Sequence, residues 1–275
     1  MTSFRLFELC IAFSYFSGAL LFLAGLVAHG DLLKRISIWT TVLGFGLHSI
    51  DLLITWLDSQ GLGSGQSPFY FSLLAWSFLA IFFGFWWRLR TDFLALIASP
   101  LALIIFTSSL AISSSTQPIP QTMGGLWFGL HIGALFLSIA LLAMAFGSGV
   151  TYLYLEKKIK TKERLKGLSR DLPSLNTCDR VNHISVLTGF PLYTMGILSG
   201  FIWAAFTWKR MFSWDPKEVV SLIIWLVFAC LFHQRLALGW NGRKPAKMAI
   251  WLFIFVIGSM LFINFFVPTH HQFQM

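Results

Sequence analysis

LWFGLHIGALFLSIALLAMAFGSGVTYL, residues 126–153, contains no Asp, Glu, Lys or Arg. A helix of about 20 apolar residues crosses the hydrocarbon core of a bilayer, so this stretch reads as a transmembrane helix with length to spare. Working outward, similar apolar runs occupy 7–28, 37–57, 68–88 and 92–111 before it, and 187–207, 218–238 and 246–267 after it. With 56% hydrophobic and only 11% charged residues, the chain is not a soluble domain. The first run lacks a basic leader followed by a small-residue cleavage site and reads as a retained span. The sequence therefore predicts an all-α, polytopic membrane protein. It would form a single integral-membrane domain over residues 1–275, with about eight transmembrane helices and no internal repeat.

The net charge of +9 is distributed as a membrane orientation signal, not as a nucleic-acid footprint. With both chain ends placed on the outer, periplasmic side, all Lys and Arg except Arg5, Lys209, Arg210 and Lys217 fall in inner loops. That agrees with the positive-inside rule and points to a bacterial cytoplasmic membrane. The basic segment 156–180 reads as an inner-surface loop against anionic headgroups or as a docking surface for a partner. The linkers 58–68 and 113–125 read as polar outer loops.

Lys209, Arg210 and Lys217 all lie in WAAFTWKRMFSWDPKE (203–218), beside Trp203, Trp208 and Trp214. Flat aromatic faces with nearby cations suit a planar ligand with an acidic edge. The same letters suit an interfacial aromatic belt and a helix start: Asp215 as N-cap, Pro216 in the first turn and Glu218 closing a capping box. Both readings place the segment at the outer membrane face.

His131, at the outer end of the fifth span, and His270 and His271, beyond the eighth, share that face by parity. Two imidazoles beside an aromatic, cationic shelf would suit a noncovalently held b-type haem, with bis-histidine ligation of its iron. His48 and His233 lie within the second and seventh spans and are candidates for a second, buried pair. His29 is an alternative partner for His233, and His183 reads as structural. Cys10, Cys178 and Cys230 form neither a CxxC nor a CxxCH motif, which leaves thiol-redox chemistry and covalent haem attachment unsupported. Gly196 and Gly200 form a GxxxG pair, open to packing within the chain or between chains.

Trp203, Trp208 and the run Trp214-Asp215-Pro216-Lys217-Glu218 resemble the tryptophan-rich signature (WWD motif) of the cytochrome c assembly or haem-handling superfamily that includes CcsA, CcmC and HemX. The neighbouring GFPLYTMGILSGFIWA (189–204), FHQRLALGWNGRKPA (232–246) and VPTHHQF (267–273) carry the same resemblance, which extends over about 126–273. GLHSIDLL (46–53) is a weaker echo. Family members committed to cytochrome c assembly usually read WGxYWSWDPKE, whereas here Lys209 replaces the glycine and Phe212 a tryptophan. Size and span count resemble the compact HemX-type branch.

The resemblance implies outer haem ligation by His131 and His271, and a buried site using His233 with His48. Trp203, Trp208, Trp214, Asp215, Lys209, Arg210 and Lys217 would line the haem. The implied function is transmembrane handling or export of haem for cytochrome c biogenesis, without a catalytic residue, and with assembly proteins or a haem-biosynthetic enzyme as partners. The alternatives are a membrane regulator of tetrapyrrole synthesis acting through 156–180, and a quinone-reactive dihaem b-type redox protein. No P-loop GxxxxGK[ST] occurs.

Overall fold

A computed structural model describes residues 2–58, 67–111, 126–162 and 172–266. Among these, eight α-helices are long and apolar enough to span a membrane. They are α1 (Thr2–Val27), α2 (Asp31–Asp58), α3 (Ser67–Leu89), α4 (Ala95–Ala111), α5 (Leu126–Lys160), α6 (Leu175–Trp208), α7 (Pro216–Leu236) and α8 (Arg243–Phe266). Helices suit these apolar runs because each satisfies its backbone hydrogen bonds internally, where lipid offers no partners.

The helices form two groups of four. In the first, α1 packs on α2 and α4, and α3 packs on α4 and α2. In the second, α5 and α6 make the most extensive contact in the molecule, and α7 and α8 complete the ring. α5 joins the halves by also touching α3 and α4. Every residue from Ala140 to Ala145 is buried, as a helix surrounded on all sides requires.

Up-and-down connectivity sorts the helix ends into two sets. One, here the aromatic end, holds the start of α5, the end of α6 and the start of α7. The other, the basic end, holds the α5–α6 and α7–α8 connections. Leu52, Phe69, Tyr70, Ile132 and Trp203 meet at the aromatic end, drawing α2, α3, α5 and α6 together there.

α6 starts at Leu175, a full three turns before the apolar run beginning at 187. Ser174 caps it by accepting from the Thr177 amide. The extension is amphipathic: Cys178, Val181, Asn182 and Ser185 are buried, and Asn182 is hydrogen-bonded to both α5 and α7. Arg235 of α7 is 2% exposed and lies 3.0 Å from Asp179. It also donates to Asn182 Oδ1 at 2.5 Å and to the Trp240 carbonyl at 3.2 Å. Asp179 accepts the Gly242 amide, and Asn182 donates to the Ala145 carbonyl on α5. Gly242 has a φ of +72°, and a Cβ there would lie 2.6 Å from the Tyr152 hydroxyl, so the turn into α8 requires glycine. Arg235 is thus a buried tie between α6, α7 and the turn into α8, not the loop cation expected from the sequence.

Arg235→Ala strips the cation from Asp179 and Asn182, and breaking such a pair costs about 3–5 kcal/mol. Thermal unfolding in mild detergent should show a large loss for Arg235→Ala and a smaller one for the neutral pair Asp179→Asn with Arg235→Gln. Equal melting of wild type and Arg235→Ala would refute the tie.

Candidate functional site

The site is built on the close approach of α5 and α6. Gly196 and Gly200 turn their bare backbone toward α5, and the residues filling that space are Leu135 and His131. A Cβ on Gly196 would lie 2.7 Å from Leu135 side-chain atoms, and one on Gly200 would lie 2.5 Å from Nδ1 of His131. The GxxxG pair therefore serves packing within the chain. It brings His131 Nδ1 to 2.7 Å from the Gly196 carbonyl oxygen. A carbonyl only accepts, so Nδ1 carries the proton and Nε2 carries the lone pair. A hydrogen bond of this kind, made by one ring nitrogen, orients an imidazole so that the other can serve as a metal ligand. Ser199 donates to the same carbonyl, fixing it further.

Beside His131 an apolar groove of about 460 Å³ runs between α5, α6 and α7, from Trp127 and Ile202 to Phe190 and Phe232. Its size is in the range of ligand pockets.

The segment 209–215 links α6 to α7 across the aromatic end. Lys209 ends α6 in the left-handed region, φ +60°. Glycine adopts this conformation without strain, which gives the family's glycine at this position a backbone reason. Asp215 is the N-cap of α7, 2% exposed, and accepts from the Lys217 amide at 2.8 Å, with Pro216 in the first turn. The expected capping box differs in one respect. The Glu218 carboxylate reaches past Asp215 to Ser213, accepting from its amide at 2.7 Å and from its hydroxyl at 3.0 Å. Trp214, itself at φ +58°, is pushed outward by this arrangement and is 78% exposed. Phe212 stands edge-on to Trp214 at 5.0 Å and to Phe201 at 6.1 Å, making a short aromatic ladder.

The sequence-predicted residues are thus distributed unevenly. Trp214 is displayed at the surface. Trp203 instead packs half-buried against the cluster of Leu52, Phe69 and Tyr70. The side chain of Trp208 lies outside the described residues, as do His270 and His271. Lys209 and Arg210 are exposed and Lys217 is half-buried. Phe201 and Phe212 belong to the aromatic surface although tryptophan content alone does not single them out.

The inner histidines are not brought together. His48 is fully buried in the first half, with Nδ1 2.9 Å from the Tyr15 hydroxyl, Nε2 2.7 Å from Ser72 Oγ and its ring against Phe106. His233 lies on the exposed face of α7, a helix that packs on α6 and α8. No described contact links the two, because they sit in different halves. His29 is exposed near the basic end, and His183 is half-buried on the α6 extension. Among the described residues no group of three or more His, Cys, Asp or Glu could hold a metal ion.

Residues 66–271 match the family model described as cytochrome C assembly protein. The chain belongs to this family. It is 30% identical to the cytochrome c biogenesis protein CcsA of Chlorella vulgaris over 259 residues, covering 82% of this chain and 81% of the relative. The CcsA protein of Guillardia theta is 30% identical over 240 residues, 79% of this chain and 80% of its own. That of Welwitschia mirabilis is 32% identical over 231 residues, covering 73% and 74% respectively. α1 and α2 precede the region that the family model matches.

Lys209→Gly should relieve about 1 kcal/mol of left-handed strain and raise the melting temperature without altering the fold. Glu218→Ala should act oppositely and locally, accelerating hydrogen exchange at the Ser213 amide. Unchanged Ser213 exchange would show that the Glu218 clasp is absent in solution.

Proposed function

We propose that this protein binds haem noncovalently at its aromatic end and handles it across or along the membrane for cytochrome c biogenesis. In this reading the aromatic end faces the outer, periplasmic side of a bacterial cytoplasmic membrane. Family membership and the function named for the CcsA relatives support a role in cytochrome c biogenesis. The observation that carries the site is the His131–Gly196 bond, because it turns the imidazole into an oriented Nε2 donor.

Haem is the cargo in this reading. His131 supplies one axial nitrogen and His271, five residues beyond the end of α8, the other. Trp214 and Phe212 offer aromatic faces to the porphyrin, with Trp203 and Trp208 flanking them. Lys209, Arg210 and Lys217 sit around the start of α7 and would pair with propionates, as the amino end of a helix also favours anions. Asp215 acts through the backbone, holding the cap that presents Trp214. The adjoining groove gives the apolar part of a tetrapyrrole a route past α6. Two neutral imidazoles hold iron without a covalent bond to the porphyrin, so release is a ligand exchange with the acceptor. The eight-span layout of the described residues fits the compact HemX-type branch. A second haem between His48 and His233 would require His48 to exchange one of its two hydrogen bonds for iron and the two helices to approach.

The test is purification in mild detergent, an absorption spectrum and pyridine haemochrome quantification. Wild type should carry low-spin haem. His131→Ala and His271→Ala should each reduce haem retention at least tenfold, and Phe212→Ala should weaken it less. Unaltered haem content and spectrum in both histidine variants would overturn the assignment.

A further inference from the structure

Lys247 is exposed on α8, one turn inside Arg243 and about 6 Å deeper at 1.5 Å per residue. The face it shares continues through Trp251, 70% exposed, and Ile254, an apolar surface of the kind that meets lipid. At this depth α8 packs on α5. A Cβ on Gly149 would lie 2.9 Å from the Ala246 carbonyl oxygen and 3.3 Å from Ile250 Cγ1, and Phe146 pairs with Phe253 one turn further in. Lys247 is therefore level with the last part of the uncharged run 126–153 on α5. A lone ammonium there is costly unless its stem carries it toward the interface and an anion meets it.

The carboxylates at this corner are already engaged. Glu156 is shared between Lys160 at 2.8 Å and Arg243 at 3.8 Å. Asp179 holds Arg235 and the Gly242 amide. Lys247 and Lys157 have no ion pair among the described residues. α5 and α8 run antiparallel and face each other through Gly149 and Ala246. The residue after each, about 100° round its helix, falls on the same flank of the seam. These residues are Val150 and Lys247. Two turns on, Lys157 extends the flank toward the basic end and Ile254 extends it into the membrane. Nearby, Lys244 Nζ lies 4.9 Å from the Trp240 ring and Lys158 Nζ 5.3 Å from the Tyr154 ring. Such aromatic rings concentrate at headgroup level, which sets the cationic part of the flank at the depth of lipid phosphates.

We propose that this flank of the α5–α8 seam binds one anionic phospholipid. Its phosphodiester would sit between Lys247 and Lys157, with Arg243 beside them, and an acyl chain would lie along Val150 and Ile254. The charge of the flank selects an anion, and basic sites between membrane helices suit lipid headgroups. The exposed apolar continuation selects an anion that carries acyl chains, in preference to an acidic peptide or free phosphate. A lipid held there fastens α8 to α5. This site requires only that the helices span a bilayer, and it is independent of the haem reading.

The test is native mass spectrometry of the full-length protein released from nanodiscs with equal amounts of phosphatidylglycerol and phosphatidylcholine. Wild type should retain phosphatidylglycerol preferentially, and equal retention of the two lipids would overturn the proposal. Lys247→Gln with Lys157→Gln should lower that retention about thirtyfold, the value of two basic residues at an anionic surface. Lys247→Arg should keep it. Arg35→Gln with Arg88→Gln, which removes the same charge from α2 and α3 at the same end, should leave it unchanged. Equal loss in both double variants would reduce the preference to diffuse surface charge and overturn the site. Displacement of the lipid by inorganic phosphate or by poly-glutamate would also overturn it, assigning the flank to a soluble anion or an acidic protein. Haem content plays no part in these measurements, so failure here leaves the haem assignment standing.

Discussion

The close approach of α5 and α6 is the constraint on which the site depends. Without side chains at Gly196 and Gly200, the two helices draw near enough for the His131 ring to occupy the gap and reach a backbone carbonyl. That carbonyl already serves its own helix, and Ser199 fastens it from the other side. A single contact therefore sets the helix spacing, the ring orientation and the tautomer. α5 can take this role because it is enclosed on all sides further down, where every residue from Ala140 to Ala145 is buried between the two halves of the molecule.

The two membrane faces are stabilised by different means. At the basic end, a buried guanidinium gathers α6, α7 and the turn into α8, and its partners are arranged so that the carboxylate also captures a backbone amide. At the aromatic end, caps do the ordering. Asp215 and Glu218 satisfy backbone amides around a short turn containing two left-handed residues, Lys209 and Trp214. The first arrangement resists helix separation. The second fixes a small exposed surface and leaves its aromatic and cationic groups available for contact.

Much of the fold was legible because apolar run length is a direct consequence of bilayer thickness. The polar extensions of α5 and α6 were not, since their partners are distant in sequence: Arg235 holds that of α6 through Asp179 and Asn182, and Arg243 reaches Glu156 on that of α5. The cap at Asp215 and Pro216 was legible because it is local, whereas the Glu218 partner depends on how the chain doubles back at Ser213. GxxxG spacing signals close approach but does not name what fills the gap. Tryptophan content marks the segment without saying which ring faces out: Trp203 is half-buried against Leu52, Phe69 and Tyr70, whereas Trp214 is exposed with Phe212 edge-on to it. His48 has the look of a ligand in sequence. Its partners Tyr15 and Ser72 come from other helices and leave no local signal.

The most direct measurement of the central claim is a structure of the haem-loaded protein in a lipid environment. The account predicts iron bound by Nε2 of His131, with Nδ1 still on the Gly196 carbonyl and the porphyrin edge against Trp214 and Phe212. Haem bound elsewhere, with His131 uninvolved, would contradict it.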